Sequence, residues 1–337
     1  MTNQPATPIA VIGAGSWGTA LALLLARNHQ VVRLWGREIE EMRVMQTQRI
    51  NQHYLPGFVL PELIEVHTNL ESTLKNVRDI LIVVPSHAFR EILKTIKPLL
   101  HSEFRLAWGT KGLDAKNSET LDKVVEEELG AGISVAALSG PSLASEVAKG
   151  LPTAVTLASN DDLFADQLIQ RFYTESFRIY KSSDMIGVEL CGVVKNVLAI
   201  GAGICDGLQL GNNARSAFIT RGIAELSRLL NATGGQTATL MSLAGIGDII
   251  LTCTSPLSRN YRFGLAVGKG KKIDAVIQEI GQVVEGYANT DQLKRLSQRH
   301  AVEMPIVSAI YNILHLGLTP KQAAQELLSR DGMAKWE

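Results

Sequence analysis

A single lysine in an apolar stretch is the residue of this sequence best suited to chemistry. Lys195 follows Val193 and Val194 and precedes Val197 and Leu198, in a run that predicts one long helix. An ammonium group on an apolar helix is costly unless it is paired or used. A desolvated amine gives up its proton more readily, as acid–base catalysis near neutral pH requires. The alternative interpretation is a lysine at a helix edge whose ammonium reaches solvent.

An aspartate between glycines and apolar residues is the candidate partner of this lysine. Asp248 follows Gly245-Ile246-Gly247 and precedes three apolar residues. Such a carboxylate could orient Lys195 or bind a substrate hydroxyl. Because aspartate is also favoured at helix N-caps, a structural cap is the competing interpretation.

Basic and polar residues at three further places suit an anionic substrate. Lys111 ends a predicted strand, and the turn of Gly140 and Ser142 ends the next one. Doubly wound sheets bind ligands at this carboxyl edge. The Ser-Arg-Asn run at residues 258–260 combines groups typical of a phosphate clamp. At each of these places, the alternative is an ordinary solvated loop.

A glycine-rich turn links an apolar strand at residues 8–12 to a helix at residues 19–28. Gly13 permits the tight turn, Gly15 lets backbone approach a pyrophosphate, and Gly18 allows the helix to pack closely on the strand. The N–H groups and the dipole of the helix N-terminus favour phosphate. This context predicts a dinucleotide site, although an ordinary strand-to-helix turn can share the spacing.

The residues after the second predicted strand indicate whether the ribose of that dinucleotide carries a 2′-hydroxyl or a 2′-phosphate. NAD sites usually carry an acid there for the 2′-hydroxyl, whereas this chain has Gly36-Arg37 followed by Glu38. An arginine can pair with a 2′-phosphate. We therefore expect NADP(H) to be preferred and NAD(H) to be accepted. The alternative is a solvated Arg37, with Glu38 binding the ribose.

Strands and helices alternate in the first part of the chain, and helical periodicity dominates the rest. Predicted strands lie at 8–12, 31–35, 79–84, 105–110, 134–138, 153–158 and 177–180. Predicted helices of the second part include 185–205, 214–230 and 238–250. The pattern predicts an α/β Rossmann domain with a doubly wound, mostly parallel sheet over residues 1–183, and an all-α domain over residues 184–337.

Composition restricts the class of protein and its partners. Lys plus Arg and Asp plus Glu both total 33, so no net charge favours nucleic acid or an acidic membrane. The apolar run 185–205 is interrupted by Glu189, Lys195 and Asn196, which predicts a buried helix rather than a membrane span. Three cysteines without CxxC spacing and no histidine cluster indicate neither a disulfide framework nor a metal site. A cytoplasmic enzyme is the expectation.

Seven short motifs, spread over both predicted domains, occur in the same order as in bacterial NAD(P)-dependent glycerol-3-phosphate dehydrogenases. They are residues 13–19, 35–37, 111–112, 139–142, 190–197, 245–248 and 258–260. The chain resembles that family from about residue 8 to residue 330. This resemblance is far more specific than the glycine turn alone.

The resemblance implies a role for each matching residue. Besides the three turn glycines, the residues implied to contact the dinucleotide are Ser16, Trp17, Arg37, Lys111, Ala144, Arg259, Val283 and Glu285. The residues implied to bind substrate are Lys111, Gly140, Ser142, Lys195, Asp248, Ser258, Arg259 and Asn260. Lys195 is the implied proton donor and acceptor. The neighbours of Glu285 offer no independent physical reason for its role.

The implied reaction is the reversible reduction of dihydroxyacetone phosphate to sn-glycerol 3-phosphate, which supplies glycerophospholipid synthesis in that family. A homodimer is expected, without an identifiable interface residue. The nearest rival function is a two-domain reductase of a β-hydroxy acid or keto acid, because carboxylate and phosphate both attract arginine. A non-catalytic NAD(P) redox sensor is the rival from another class, and it requires neither Lys195 nor Asp248.

Overall fold

The structure is a computed structural model that describes residues 7–329, and within them the chain forms two compact units. Unit 1 contains the described residues up to Lys111 together with Leu121–Val188. Unit 2 contains Gly112–Thr120 and the described residues from Glu189 onward. The sequence pattern gave no sign that the short segment Gly112–Thr120 groups with the helical unit.

Unit 1 is built on a predominantly parallel sheet. Its strands are β1 (Ile9–Ile12), β2 (Val32–Trp35), β3 (Ile50–Asn51), β4 (Leu55–Val59), β5 (Ile64–His67), β6 (Asp79–Ile82), β7 (Arg105–Trp108), β8 (Val135–Ser139), β9 (Thr153–Ser159) and β10 (Phe177–Ser182). Eight of them form one sheet in the order β10-β9-β8-β7-β6-β1-β2-β5, and β3 pairs with β4 separately. Only the β8–β9 pair of the large sheet is antiparallel. The expected doubly wound α/β fold is confirmed.

Helices cover both faces of this sheet. The helices of unit 1 are α1 (Ser16–Arg27), α2 (Ile39–Gln48), α3 (Leu70–Leu74), α4 (Ser86–Ile96), α5 (Leu121–Leu129), α6 (Ala144–Lys149) and α7 (Asp162–Phe172). Successive side chains of β1 belong to two different apolar clusters, Ile9 and Val11 to one, Ala10 and Ile12 to the other. This strand is therefore buried on both faces, which is why it is apolar throughout.

Unit 2 is helical within the described range, as expected. Its helices are α8 (Met185–Gly207), which begins in unit 1, α9 (Gly211–Thr233), α10 (Asp248–Thr254), α11 (Arg259–Gly268), α12 (Ile273–Ile280), α13 (Glu285–Arg299), α14 (Pro305–His315) and α15 (Pro320–Ser329). By length and composition α8 could cross a membrane, but its apolar window is completely buried inside the protein. It is the central helix of a protein core.

The single helix predicted over residues 238–250 is wrong. A 3₁₀ turn (Thr237–Met241) and a π-helical turn (Leu243–Gly247) precede α10, and Gly245 has non-helical dihedrals of φ −86° and ψ −110°. A Cβ at Gly245 would approach the Leu240 carbonyl oxygen to 2.3 Å. This break allows Asp248 to begin a new helix.

Candidate active site

The glycine turn of unit 1 has the backbone conformation that its spacing predicts. Gly13 has φ +121°, a value that L side chains rarely adopt. A Cβ at Gly18 would approach the Gly13 carbonyl oxygen to 1.8 Å, so the start of α1 packs directly on the turn. A Cβ at Gly15 would meet nothing within 4 Å. Packing within the chain therefore explains Gly13 and Gly18, and it leaves open space next to Gly15.

The N-terminus of α1 completes this turn. Ser16 begins the helix and donates a 2.6 Å hydrogen bond from its hydroxyl to the Tyr54 carbonyl oxygen. The indole N–H of Trp17 is buried, and it has no hydrogen-bond partner among the described residues. A helix N-terminus and open space at Gly15 suit the pyrophosphate of a dinucleotide.

Arg37 lies just beyond the carboxyl end of β2, largely exposed. Its guanidinium contacts the Glu38 carboxylate at 2.8 Å, with 81% and 56% of the two side chains accessible. A pair so exposed contributes little stability. The arginine can therefore exchange this partner for a ligand phosphate at small cost.

Lys111 and the 140–142 turn come together at the carboxyl edge of unit 1's sheet. β7 and β8 run parallel, so the residues that follow them lie at the same edge. The Lys111 ammonium donates to the Gly140 carbonyl oxygen at 3.1 Å, and the Ser142 hydroxyl donates to the same oxygen at 2.9 Å. Ala144 begins α6 two residues later.

Lys195 and Asp248 form a buried ion pair in unit 2. The Lys195 ammonium nitrogen lies 3.0 Å from Asp248 Oδ1 and 3.0 Å from the Thr252 hydroxyl. That hydroxyl in turn donates to Asp248 Oδ1 at 3.1 Å. Lys195 is 8% exposed and Asp248 1% exposed. The ammonium is thus paired within the protein, and the solvent-reaching alternative is not observed.

The competing interpretation of Asp248 as an N-cap is also not observed. Asp248 is the first residue of α10, its dihedrals are helical, and Gly247 occupies the N-cap position. Its side chain faces Lys195 and Thr252 instead. Thr252 was missed by the sequence analysis, although its position one helical turn after Asp248 was an available signal.

The run at residues 258–260 forms the N-terminus of α11. Ser258 is the N-cap, and its hydroxyl accepts from the Tyr261 backbone N–H at 3.3 Å. Arg259 donates to Gln282 Oε1 at 3.2 Å, and burial lowers its pKa while Glu285 acts in the opposite direction. Asn260 donates to Asn196 Oδ1 at 2.9 Å. This hydrogen bond connects Asn260 to Asn196, which directly follows Lys195 in the chain.

Two glycines explain how α11 comes so close to α8. A Cβ at Gly203 would lie 2.2 Å from the Tyr261 carbonyl oxygen. A Cβ at Gly264 would lie 1.9 Å from the Ile200 carbonyl oxygen. Backbone contact at this crossing holds the start of α11 next to the middle of α8. This crossing brings together the parts of α8 and α11 that carry Lys195 and residues 258–260, which are far apart in sequence.

The remaining sequence-predicted residues lie at the start of α13. Val283 is 41% exposed, and Glu285 is the first residue of the helix. Burial lowers the pKa of Arg259, and electrostatic attraction to Glu285 offsets part of that effect. The described residues contain no group of three metal-ligating side chains.

The three cysteines are free and buried. Burial raises the pKa of Cys205 to about 11 and that of Cys253, on α10, to about 12. At such values the thiols are protonated at neutral pH and are poor nucleophiles.

Comparison with known proteins identifies the relatives of both units. A family model described as the N-terminus of NAD-dependent glycerol-3-phosphate dehydrogenase matches residues 8–165, and the corresponding C-terminus model matches residues 184–325. A Coxiella burnetii protein named glycerol-3-phosphate dehydrogenase (NAD(P)+) is 54% identical over 97% of this chain and 98% of its own length. A protein of that name from Actinobacillus pleuropneumoniae is 49% identical over 98% and 99%. The crystal structure of glycerol-3-phosphate dehydrogenase from Coxiella burnetii superposes with a TM-score of 0.94, at 54% identity, over 96% of this chain and 99% of that one.

Proposed function

This chain belongs to the NAD-dependent glycerol-3-phosphate dehydrogenase family, and we propose that it reduces dihydroxyacetone phosphate reversibly to sn-glycerol 3-phosphate with NAD(P)H. The observation that carries this proposal is the buried cluster of Lys195, Asp248 and Thr252. An ammonium held by a carboxylate inside a protein is a preorganised proton donor. Neither a purely structural lysine nor a redox sensor requires such a group.

Lys195 acts on the carbonyl oxygen of the substrate. When bound, the reduced dinucleotide supplies a hydride to the carbonyl carbon. Negative charge then develops on the oxygen, where the Lys195 ammonium stabilises it and delivers a proton. In the oxidation direction the neutral amine takes the hydroxyl proton. Asp248 and Thr252 hold the nitrogen in place in both directions.

The N-terminus of α11 is the proposed anchor of the substrate phosphate. Arg259 and Asn260 begin this helix, whose N-terminal dipole also favours an anion. Ser258 fixes the start of the helix as its N-cap and adds a hydroxyl beside the site. Fixing the phosphate restricts the carbonyl to positions within reach of the catalytic amine.

Lys111 and the 140–142 turn are proposed to border the substrate, and Ala144, Val283 and Glu285 the dinucleotide. The short contacts of the Lys111 ammonium and the Ser142 hydroxyl with one carbonyl oxygen support a common role. For Ala144 and Val283 the support is the family resemblance. Glu285 has in addition its electrostatic interaction with Arg259.

Gly13, Gly15, Ser16, Trp17 and Gly18 are proposed to hold the dinucleotide phosphates. The conformation of the turn and the open space at Gly15 support this assignment. The site then presents free N–H donors to the pyrophosphate at the positive end of α1.

NADP(H) is the proposed preferred cofactor, because Arg37 is available to a 2′-phosphate. Arg37→Glu should weaken NADPH binding roughly tenfold or more relative to NADH, since a hydrogen bond to a charged group contributes about 1.5–3 kcal/mol. The matched control is Arg43→Glu, because Arg43 is also exposed and ion-paired, at 2.7 Å from Glu40. Fluorescence titration of both cofactors tests this, and an equal loss for NADPH and NADH in Arg37→Glu would contradict the assignment.

The substrate assignment is tested by loss of NADPH absorbance when dihydroxyacetone phosphate is added. Turnover should be much faster than with a keto acid. Faster turnover of a keto acid would favour the reductase alternative, and binding of NADPH without any turnover would favour the sensor. The expected homodimer and cytoplasmic location stay predictions.

A further inference from the structure

A chain of four buried side-chain amides connects the α11 N-terminus to the segment Gly112–Thr120 of the same unit. Asn260 donates to Asn196 Oδ1 at 2.9 Å, and Asn196 donates to Asn289 Oδ1 at 3.2 Å. Asn289 donates to Gln292 Oε1 at 3.0 Å, and Gln292 donates to the Leu113 carbonyl oxygen at 3.1 Å. We call these four side chains, Asn260, Asn196, Asn289 and Gln292, the amide relay.

Two backbone groups fix the direction of every amide in this relay. At one end the Gly286 N–H, which can only donate, bonds to Asn260 Oδ1 at 3.0 Å. At the other end the Leu113 carbonyl, which can only accept, receives the Gln292 N–H. Rotating any one amide by 180° would place two oxygens or two N–H groups face to face. The relay is therefore directed from α11 toward Leu113.

The relay is too deeply buried to be a solvated surface network. Asn289 is 0% and Gln292 3% exposed, on the inner face of α13. Buried amides are expensive unless all their groups are paired, and a fully paired network imposes one arrangement on its members. Leucine would fill the same volume without that cost. The function proposed so far involves Asn260 and leaves Asn289 and Gln292 unexplained.

We propose that Asn289 and Gln292 are positioning residues that hold the Asn260 amide with its N–H side directed to the substrate phosphate. This inference rests on the function proposed above. The oxygen of Asn260 is committed to Gly286, and one N–H is committed to Asn196. An amide nitrogen carries two N–H groups, and the second is assigned to a phosphate oxygen. A reversed amide would instead present an oxygen to the phosphate and repel it.

The same relay fixes Asn196, which directly follows Lys195 in α8. Because Asn289 accepts from Asn196, the latter can offer only its oxygen to Asn260. Removing Asn289 frees Asn196 to turn and removes the restraint on Asn260. The expected defect is therefore in phosphate recognition, whereas the glycine turn of unit 1 keeps all its contacts.

Asn289→Leu and Thr290→Val form the matched pair of variants. Thr290 neighbours Asn289 on α13, is equally buried, and bonds only to the Gly286 carbonyl of its own helix in the described structure. Asn289→Leu should raise KM for dihydroxyacetone phosphate roughly tenfold, since the phosphate loses one aligned hydrogen bond from Asn260 and tenfold corresponds to about 1.4 kcal/mol. The dissociation constant of NADPH should change less than about twofold. Thr290→Val should leave both values close to those of the unaltered chain.

Gln292→Glu supplies a readout that a purely structural role would not give. In its protonated form the introduced carboxyl group can accept from Asn289 and donate to Leu113, so the relay stays complete. In its ionised form it turns an oxygen toward the Leu113 carbonyl and breaks the relay. The ratio of the variant's KM to that of the unaltered chain should rise severalfold between about pH 6 and pH 8, because ionisation increases over this range for a buried carboxyl.

The outcomes separate the relay from the proposed function. A tenfold KM effect in Asn289→Leu, absent in Thr290→Val, together with a pH-dependent ratio in Gln292→Glu supports the relay. Two results refute the relay alone, provided that the unaltered chain is active. One is a KM ratio for Gln292→Glu that does not change with pH, and the other is equal KM values for Asn289→Leu and Thr290→Val. If Asn289→Leu does not fold, the pH dependence of the KM ratio for Gln292→Glu tests the relay instead. Absence of turnover of dihydroxyacetone phosphate by the unaltered chain refutes the proposed function itself.

Discussion

Asp248→Asn removes the counter-charge of Lys195 while it preserves the size of the side chain. The pair is separated by 3.0 Å and almost inaccessible to solvent. Removing one partner of a buried ion pair costs about 3–5 kcal/mol, because the other charge stays buried alone. An ordinary lysine needs about 4 kcal/mol to lose its proton near pH 7.5. The two quantities are similar, so the variant should hold a substantial fraction of neutral amine at neutral pH.

Reduction of the carbonyl requires the ammonium form, so the rate should become strongly pH-dependent in this variant. The ammonium fraction, and with it kcat/KM, should fall severalfold between about pH 6 and pH 8, because a lysine destabilised by about 4 kcal/mol loses its proton in this range. The assay is the pH profile of kcat/KM for NADPH oxidation with dihydroxyacetone phosphate.

Thr252→Val is the matched control for this experiment. It removes the second partner of the Lys195 ammonium at 3.0 Å but retains the carboxylate. A loss of about tenfold without an altered pH profile is expected, since a single hydrogen bond to a charged group is involved. The reasoning is refuted if Asp248→Asn keeps the unaltered kcat/KM, or if it loses activity equally at every pH.

Two further predictions concern stability. Burial raises the pKa of Glu225 to about 7, although its carboxylate accepts hydrogen bonds from the backbone N–H groups of Ile306 and Val307. Because the pKa of the folded state lies above that of the unfolded state, the stabilisation from this group is complete at low pH and is lost as pH rises through 7. Relative to Glu225→Gln, the free energy of unfolding of the unaltered chain should fall by about 2 kcal/mol between about pH 5.5 and pH 8.5, and a pH-independent difference in urea titrations would contradict this. Ser258→Ala should lower the free energy of unfolding by about 1 kcal/mol through loss of the α11 N-cap, and an unchanged denaturation midpoint would remove that role.

Local signals were sufficient to predict the unit 1 turn and to identify Lys195 as a buried, paired lysine. The strand, the three glycines and the following helix are contiguous in sequence, and the backbone around Gly13 and Gly18 leaves no room for a side chain. Lys195 was recognisable because a charge on an apolar helix requires a partner. Asp248 was identified as that candidate partner on composition, and the choice between cap and partner required the coordinates.

The features that sequence reasoning missed depend on contacts that a local pattern does not specify. The break at Gly245 was not predicted because mostly apolar residues continue through it; in the structure a Cβ there would approach the Leu240 carbonyl oxygen to 2.3 Å. Asn289 and Gln292 resemble ordinary polar residues of a surface helix until burial is known. Their partners lie 93 and 179 residues away in the chain, and no local pattern specifies such pairings.

Lys195→Ala tests the central claim most directly. The substitution leaves the glycine turn of unit 1 unchanged, so NADPH binding measured by fluorescence should stay within about twofold of the unaltered value. It removes the proton donor, so turnover of dihydroxyacetone phosphate should fall by about 10²–10⁴-fold, the usual contribution of a general acid. Turnover within tenfold of the unaltered chain would contradict the assignment of Lys195 as the proton donor.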